Sequence, residues 1–228
     1  MNNGDRGAAL VIALMAVVLL MALGLALVLN TTTEVMVAGN FRSAQEAFYA
    51  ADAGIERAID ELQTVPDWNV VLRGGERSTF ADGAPGGSRT LSDGTTIDLT
   101  QATNMLNCSH PATCSLAEMN SSTVERPWSM NNPRWNLYAY GPLSAIVPTG
   151  TVNSSVYVAV WVADDQSEDD NDPTTDGASQ TNPGSGVLMV HAEAFSSRAT
   201  HRVLEATVAR CDLSQPDAVR IVSWRELR

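Results

Sequence analysis

The chain has 228 residues, enough for one ordinary domain plus a long appendage and too few for two large ones. A formal net charge of −12 argues against a broad phosphate-binding surface, because nucleic-acid affinity comes largely from Lys and Arg neutralising backbone charge; nucleic acid is set aside as a partner. Aromatic residues make up only 6%, and Gly, Ser, Thr, Asn and Asp crowd the chain after residue 64, so the distal part is expected to be acidic, β-rich and full of turns rather than a helical bundle.

The first element is apolar. No charge occurs between Arg6 and Glu34, and Ala8 to Leu29 is a run of 22 residues without a strongly polar side chain. As a helix rising about 1.5 Å per residue it spans roughly 33 Å, enough for a bilayer core of roughly 30 Å. A buried core helix would be shorter and would show a polar face. A cleaved secretory signal would have an apolar run of about 7 to 15 residues and an Ala-x-Ala-like exit. The "NTTTEVMVAGNF" that follows Leu29 offers no such exit, so the segment is expected to be kept as a membrane helix. Arg6 and the initiating amine precede it, partly offset by Asp5, and Arg42 lies well after it, which puts the N-terminus on the cytoplasmic side.

The second element is amphipathic. Phe41, Ala44, Phe48, Ala51, Ile55, Ile59 and Leu62 recur at steps of three or four, while Arg42, Glu46, Asp52, Glu56 and Asp60 fall mostly on the other face. The helix is expected to end near Thr64, since Pro66 disfavours helical geometry in the residue before it. Asn30 to Thr33 and Gly39-Asn40 are candidate soft joints between the two helical halves.

Arg6-Gly7-Ala8-Ala9-Leu10-Val11, the apolar run with Gly24, and "TTTEVMVAGNFRSAQEAFYAADAGIERAI" together resemble the N-terminal region of the PilX-type minor pilins of type IV pilus systems. The tandem of that start with Ala38-Gly39-Asn40, Ala47-Phe48 and Ala50 to Ile55 is the more specific part, and the resemblance covers about the first 60 residues. It implies an α+β, pilin-like fold in which a long N-terminal helix packs on an antiparallel β-sheet. It also implies that Gly7 ends a short leader removed by a prepilin peptidase, leaving Ala8 as an N-methylated terminus. Implied partners are other minor and major pilins, the inner membrane and a tip adhesin, with the distal domain in the periplasm until the subunit enters an extracellular pilus. Most pilins carry Glu at the fifth mature position, where this chain has Ile12. A carboxylate there is tolerable only when a neighbouring amine pairs with it. Its absence fits PilX-type minor pilins and certain tip pseudopilins, and suggests a place at the start of a filament. Gly24 costs about 1 kcal/mol relative to Ala in a helix, and is either kept for close helix packing or local unwinding or simply tolerated. Two other readings stand beside this one: a type II secretion pseudopilin, and a single-pass anchored binding domain that forms no polymer.

The expected segments are therefore a leader at 1–7, a membrane and filament helix at 8–29, an amphipathic helix at 30–65, a Gly-rich loop at 66–95 and a β-rich globular domain at 96–228. Arg73 to Thr96 has few apolar residues and reads as a long surface loop. Strands are expected at Thr96 to Thr100, Asn136 to Ala145, Ser155 to Ala163, Gly186 to Ala194, Arg202 to Ala209 and Ala218 to Trp224. In "SVYVAVWVADD" the valines alternate with Tyr157, Ala159 and Trp161, so both faces of that strand should be covered. A hairpin turn is expected around Ser196 to Thr200.

Three cysteines leave one over. In an exported domain Cys108 and Cys114 are the disulfide candidate, with Cys211 free or swapped into the pair. Unpaired thiols are the second reading. A metal site on Cys108, His110 and Cys114 is the weakest, because it falls short of four well-spaced ligands.

Between two expected strands, "ADDQSEDDNDPTTDGASQTNPGSG" holds Asp164, Asp165, Glu168, Asp169, Asp170, Asp172 and Asp176. Such density suits calcium, which takes six to eight oxygens. The candidate ligands are Asp165, Asp169, Asp170, Asp172 and Asp176, with Gly177 for a sharp turn. The loop lacks the EF-hand spacing, so a solvated acidic turn is the competing and favoured reading, and no cofactor is certain.

No catalytic constellation is legible. His110, His191 and His201 are the only histidines; none lies in a metalloprotease motif, and neither a Gly-x-Ser-x-Gly elbow nor a phosphate-cradling loop occurs. Trp128, Trp135, Trp161 and Trp224 are scattered through β-like runs and read as packing rather than a sugar platform. The chain is expected not to be an enzyme.

Overall fold

The computed structural model describes residues 3–146, 154–177, 184–196, 200–212 and 215–227. Its chain divides into two units, Met1–Arg42 and Ser43–Arg228. Helix α1 (Asn3–Leu62) supplies the described part of the first unit and opens the second.

In the first unit the side chains of Ala8 to Leu29 are exposed on every side. The joint expected at Asn30 to Thr33 is not a break, and neither is Gly39-Asn40: α1 continues through both. The hydroxyls of Thr31, Thr32 and Thr33 donate to the carbonyls of Leu27, Val28 and Leu29 at 2.9, 2.8 and 3.0 Å. Asn30 Nδ2 donates to Glu34 Oε1 at 3.0 Å. Polar groups that would otherwise compete for the backbone are thus satisfied along the helix itself.

In the second unit α1 buries Ala47, Ala50, Ala51, Ile55, Ala58, Ile59 and Leu62. The buried seam is richer in alanine than the sequence pattern suggested, and Phe48 lies only partly buried beside it. The helix end is held by distant groups. Trp68 Nε1 donates to the Leu62 carbonyl at 3.1 Å. Arg210 donates to the carbonyls of Val65 and Pro66 at 2.9 and 3.0 Å and lies 4.2 Å over the Trp68 ring. The carbonyls at and just beyond the end of α1 thus gain side-chain donors.

The elements that follow are α2 (Trp68–Leu72), the short pair β1 (Ser88–Thr90) and β2 (Thr96–Asp98), α3 (Leu99–Cys108) and α4 (Leu116–Met119). The main sheet is a five-stranded antiparallel meander: β3 (Asn136–Pro142), β4 (Tyr157–Asp164), β5 (Val187–Ser196), β6 (Thr200–Asp212) and β7 (Gln215–Leu227), in that spatial order. This is the α+β, pilin-like arrangement expected from the sequence. β5 and β6 pair Ser196 with Thr200; the turn expected between them at 197–199 lies outside the described residues.

β4 is buried along its whole length because both sheet faces are covered. Val158, Val160 and Val162 share a core with α1, Leu188, Val190, Leu204 and Val208. Tyr157, Ala159, Trp161 and Ala163 share a second core with Leu91, Leu99, Trp135 and Met189, against which Ile97, Ala102 and Leu106 pack. The second cover is α3: of the strand expected over Thr96 to Thr100, Thr96–Asp98 is β2, and the chain turns helical at Leu99. Asp98 ends β2 and accepts a hydrogen bond from the Gln101 amide at 2.9 Å, so the residue that closes the strand caps the helix.

Arg73 to Thr96, expected as a surface loop, does more than connect. The Ser78 amide donates to Tyr138 O at 3.0 Å, Tyr140 N to Phe80 O at 2.8 Å and Asp82 N to Tyr140 O at 2.9 Å, which covers the outer edge of β3. Cys108 and Cys114 are joined, closing the turn after α3, and Cys211 is free and exposed.

Candidate functional site

Two features stand out from packing. The first is the N-terminal half of α1, the one helix among the described residues long and apolar enough to cross a membrane. Ile12 is about two-thirds exposed within this surface, and an added Cβ at Gly24 would meet nothing within 4 Å. Gly7 lies in α1 and Ala8 follows it, exposed.

The second feature is a carboxylate cluster where β4 ends. Alternation along β4 carries Asp164 to the same face as Val158, Val160 and Val162. One ligand oxygen from each of Asp164, Glu168 and Asp176 falls within 4.8 Å of the others. Asp164 and Glu168 are each only 3% exposed. The backbone holds the other two acids in place. The Gly177 amide donates to Glu168 Oε2 at 3.0 Å and Oε1 at 3.2 Å, and the Gly186 amide donates to Asp176 Oδ1 at 2.6 Å. The Asp176 amide donates to Asn69 Oδ1 at 2.7 Å, tying the loop to α2. Asn131 Nδ2 donates to the Glu168 carbonyl at 2.7 Å. Gly184, at φ +91°, lies so close that a Cβ there would meet Glu168 Cγ at 2.8 Å.

The electrostatics follow from crowding. Burial, reinforced by the Glu168 and Asp176 charges, pushes the Asp164 carboxyl up to about 9. Burial pushes Glu168 up to about 7 against the lowering effect of the Gly177 amide. Asp176 is also raised, chiefly by burial, with the Arg210 charge opposing.

Of the five acids expected from the sequence as calcium ligands, Asp176 alone joins this cluster. Asp165 accepts a hydrogen bond from the Ser167 hydroxyl. Asp170 accepts from the Asp172 amide at 2.9 Å, and Asp172 from the Thr174 hydroxyl and amide at 2.6 and 3.2 Å. Those two and Asp169 are exposed. The part of the loop at 178–183 lies outside the described residues. Asp164 and Glu168 were visible in the sequence, and the strand alternation continued through Asp164 was the signal for its inward side chain.

The histidines are held by packing and carboxylates. Buried His191 lies between the rings of Trp135 and Trp161, at centroid distances of 5.4 and 5.9 Å. Its Nε2 is 3.2 Å from Glu193 Oε1, while His201 Nε2 is 3.1 Å from Glu193 Oε2 and its ring stacks on Phe195. His110 pairs with Glu118 at 3.2 Å, beside the disulfide. Trp135 and Trp161 are core, and Trp161 Nε1 donates to Thr103 Oγ1 at 2.8 Å. Trp128 and Trp224 are partly exposed, Trp224 edge-on to Phe48.

Residues 6–56 match the family described as PilX N-terminal, so the resemblance drawn from the sequence holds over that stretch. Among curated proteins and solved structures, none matches the chain.

Proposed function

We propose that this chain, whose residues 6–56 carry the PilX N-terminal match, is a minor pilin: a structural subunit held in the inner membrane through Ala8 to Leu29 and then drawn into a type IV pilus. The observation that supports this most strongly is the conjunction of that match with an apolar helix surface exposed on all sides. Such a surface suits two solvents in succession, lipid first and the helices of neighbouring subunits second, because neither provides partners for a lone polar group. Cleavage after Gly7 frees the Ala8 amine for methylation. Ile12 removes the carboxylate that would need a neighbour's amine, which favours a position at the start of the filament, beside other minor pilins and beneath any tip adhesin. The second unit, with its two-sided sheet, is the part displayed outside the membrane. The contribution to the cell is assembly rather than catalysis.

The mature N-terminus tests this directly. Mass spectrometry of the protein isolated from cells that make the prepilin peptidase is expected to show Ala8 as the first residue, carrying one methyl group. An intact Met1, or cleavage after the apolar run, would remove the pilin reading.

A further inference from the structure

The cluster at the end of β4 combines features that a solvated acidic turn does not. Three carboxylates converge within 4.8 Å. Asp164 is only 3% exposed, and its Oδ1 is shielded from solvent and accepts no hydrogen bond among the described residues. An ionised oxygen buried without a donor is costly, and the cost grows with every like charge brought beside it. The surrounding backbone nevertheless spends specific contacts to hold Glu168 and Asp176 there: the Gly177 and Gly186 amides, the Asn69 link and the left-handed Gly184.

We infer that Asp164, Glu168 and Asp176 bind a divalent hard cation, calcium. The donor set is all oxygen, without nitrogen or sulfur, and that selects calcium or magnesium over transition metals. The carboxylates come from a strand end and an irregular loop, an uneven arrangement that suits calcium's six to eight ligands better than the near-ideal octahedron magnesium demands. The ion joins β4, the 165–177 loop and, through Asn69, the start of α2. It thereby ties the β4–β5 connection to the segment that follows α1. The inference concerns the second unit and does not depend on the pilin reading.

Calorimetric titration of the full-length chain in detergent micelles, stripped with chelator and then titrated with calcium chloride, tests the site together with thermal melting. One saturable site is expected, with Tm raised by about 5 °C or more when free calcium exceeds the Kd about 100-fold. Asp164→Asn and Glu168→Gln, which keep shape and remove charge, are expected to weaken binding at least 100-fold and abolish the Tm shift. Asp172→Asn, on the exposed turn, is expected to bind as the unaltered chain does. No heat and no Tm change in the unaltered chain would overturn the inference, as would undiminished binding after Asp164→Asn and Glu168→Gln. Loss of binding on Asp172→Asn with retention in Asp164→Asn would also overturn it, by placing the ion on the exposed turn. Circular dichroism identifies a variant that fails to fold, and the remaining buried-acid variant then decides.

Discussion

Glu193 concentrates the opposing forces that act on a single side chain here. Burial raises its carboxyl, yet the hydrogen bonds and charges of His191 and His201 outweigh that effect and leave it depressed to about 2. A carboxylate whose folded value lies below the ordinary 4.5 contributes stability that is complete above about pH 4.5 and is lost as pH falls through about 2. The unaltered chain should therefore melt at progressively lower temperature over that window, and Glu193→Gln should flatten the decline. Melting curves from pH 6 to 2 check this: an unchanged acid slope in Glu193→Gln would show that the two imidazoles do not set its charge. The carboxylate shared by His191 and His201 was not legible in the sequence, because they lie on different strands whose register brings them to one residue.

Between α1 and β4, the distance of closest approach is decided at Gly54. A Cβ there would stand 2.7 Å from Val158 Cγ1 and 3.0 Å from Val160 Cγ2, and β-branched side chains packed on a sheet have little freedom to withdraw. Gly54→Ala gains about 1 kcal/mol of helix propensity and meets an overpacking cost of about 1 to 3 kcal/mol. The second effect wins. We expect net destabilisation of about 1 kcal/mol in urea unfolding, and a stabilised variant would show that the helix can shift outward without loss. Gly24 provides the contrast, since an added methyl there meets no neighbour within 4 Å, so within the chain Gly24→Ala changes helix propensity alone. At this scale the α1 pattern and the alternation of β4 were readable locally. α3 was missed even though Asp98, Leu99, Ala102 and Leu106 carry cap and helical spacing, because the β-favouring Thr96 and Ile97 ran straight into it.

Across the whole molecule, the two units differ in what they need from their surroundings. Among the described residues, the buried apolar residues of the two cores run from Ala47 to Val208, inside the second unit, whereas the apolar residues from Leu10 to Leu29 are exposed. A fragment of residues 43–228 should accordingly be soluble without detergent and melt cooperatively within a few degrees of the full chain in micelles. Size-exclusion chromatography with circular dichroism checks this, and an aggregated or non-cooperative fragment would mean that residues 1–42 are required for the fold. Hydropathy and helical period are properties of neighbouring residues, so the sequence alone was enough to establish the lone apolar segment, the amphipathic continuation, the β-rich remainder and the likeness to the PilX N-terminal region. Tertiary structure decided the rest: the helix covering the second face of β4, the strap on β3, and the convergence of Asp164 and Glu168 with Asp176 in place of the acids on the exposed turn. Those outcomes depend on strand register and loop closure between residues far apart in the chain, and on burial, which separates carboxylates that look alike in sequence.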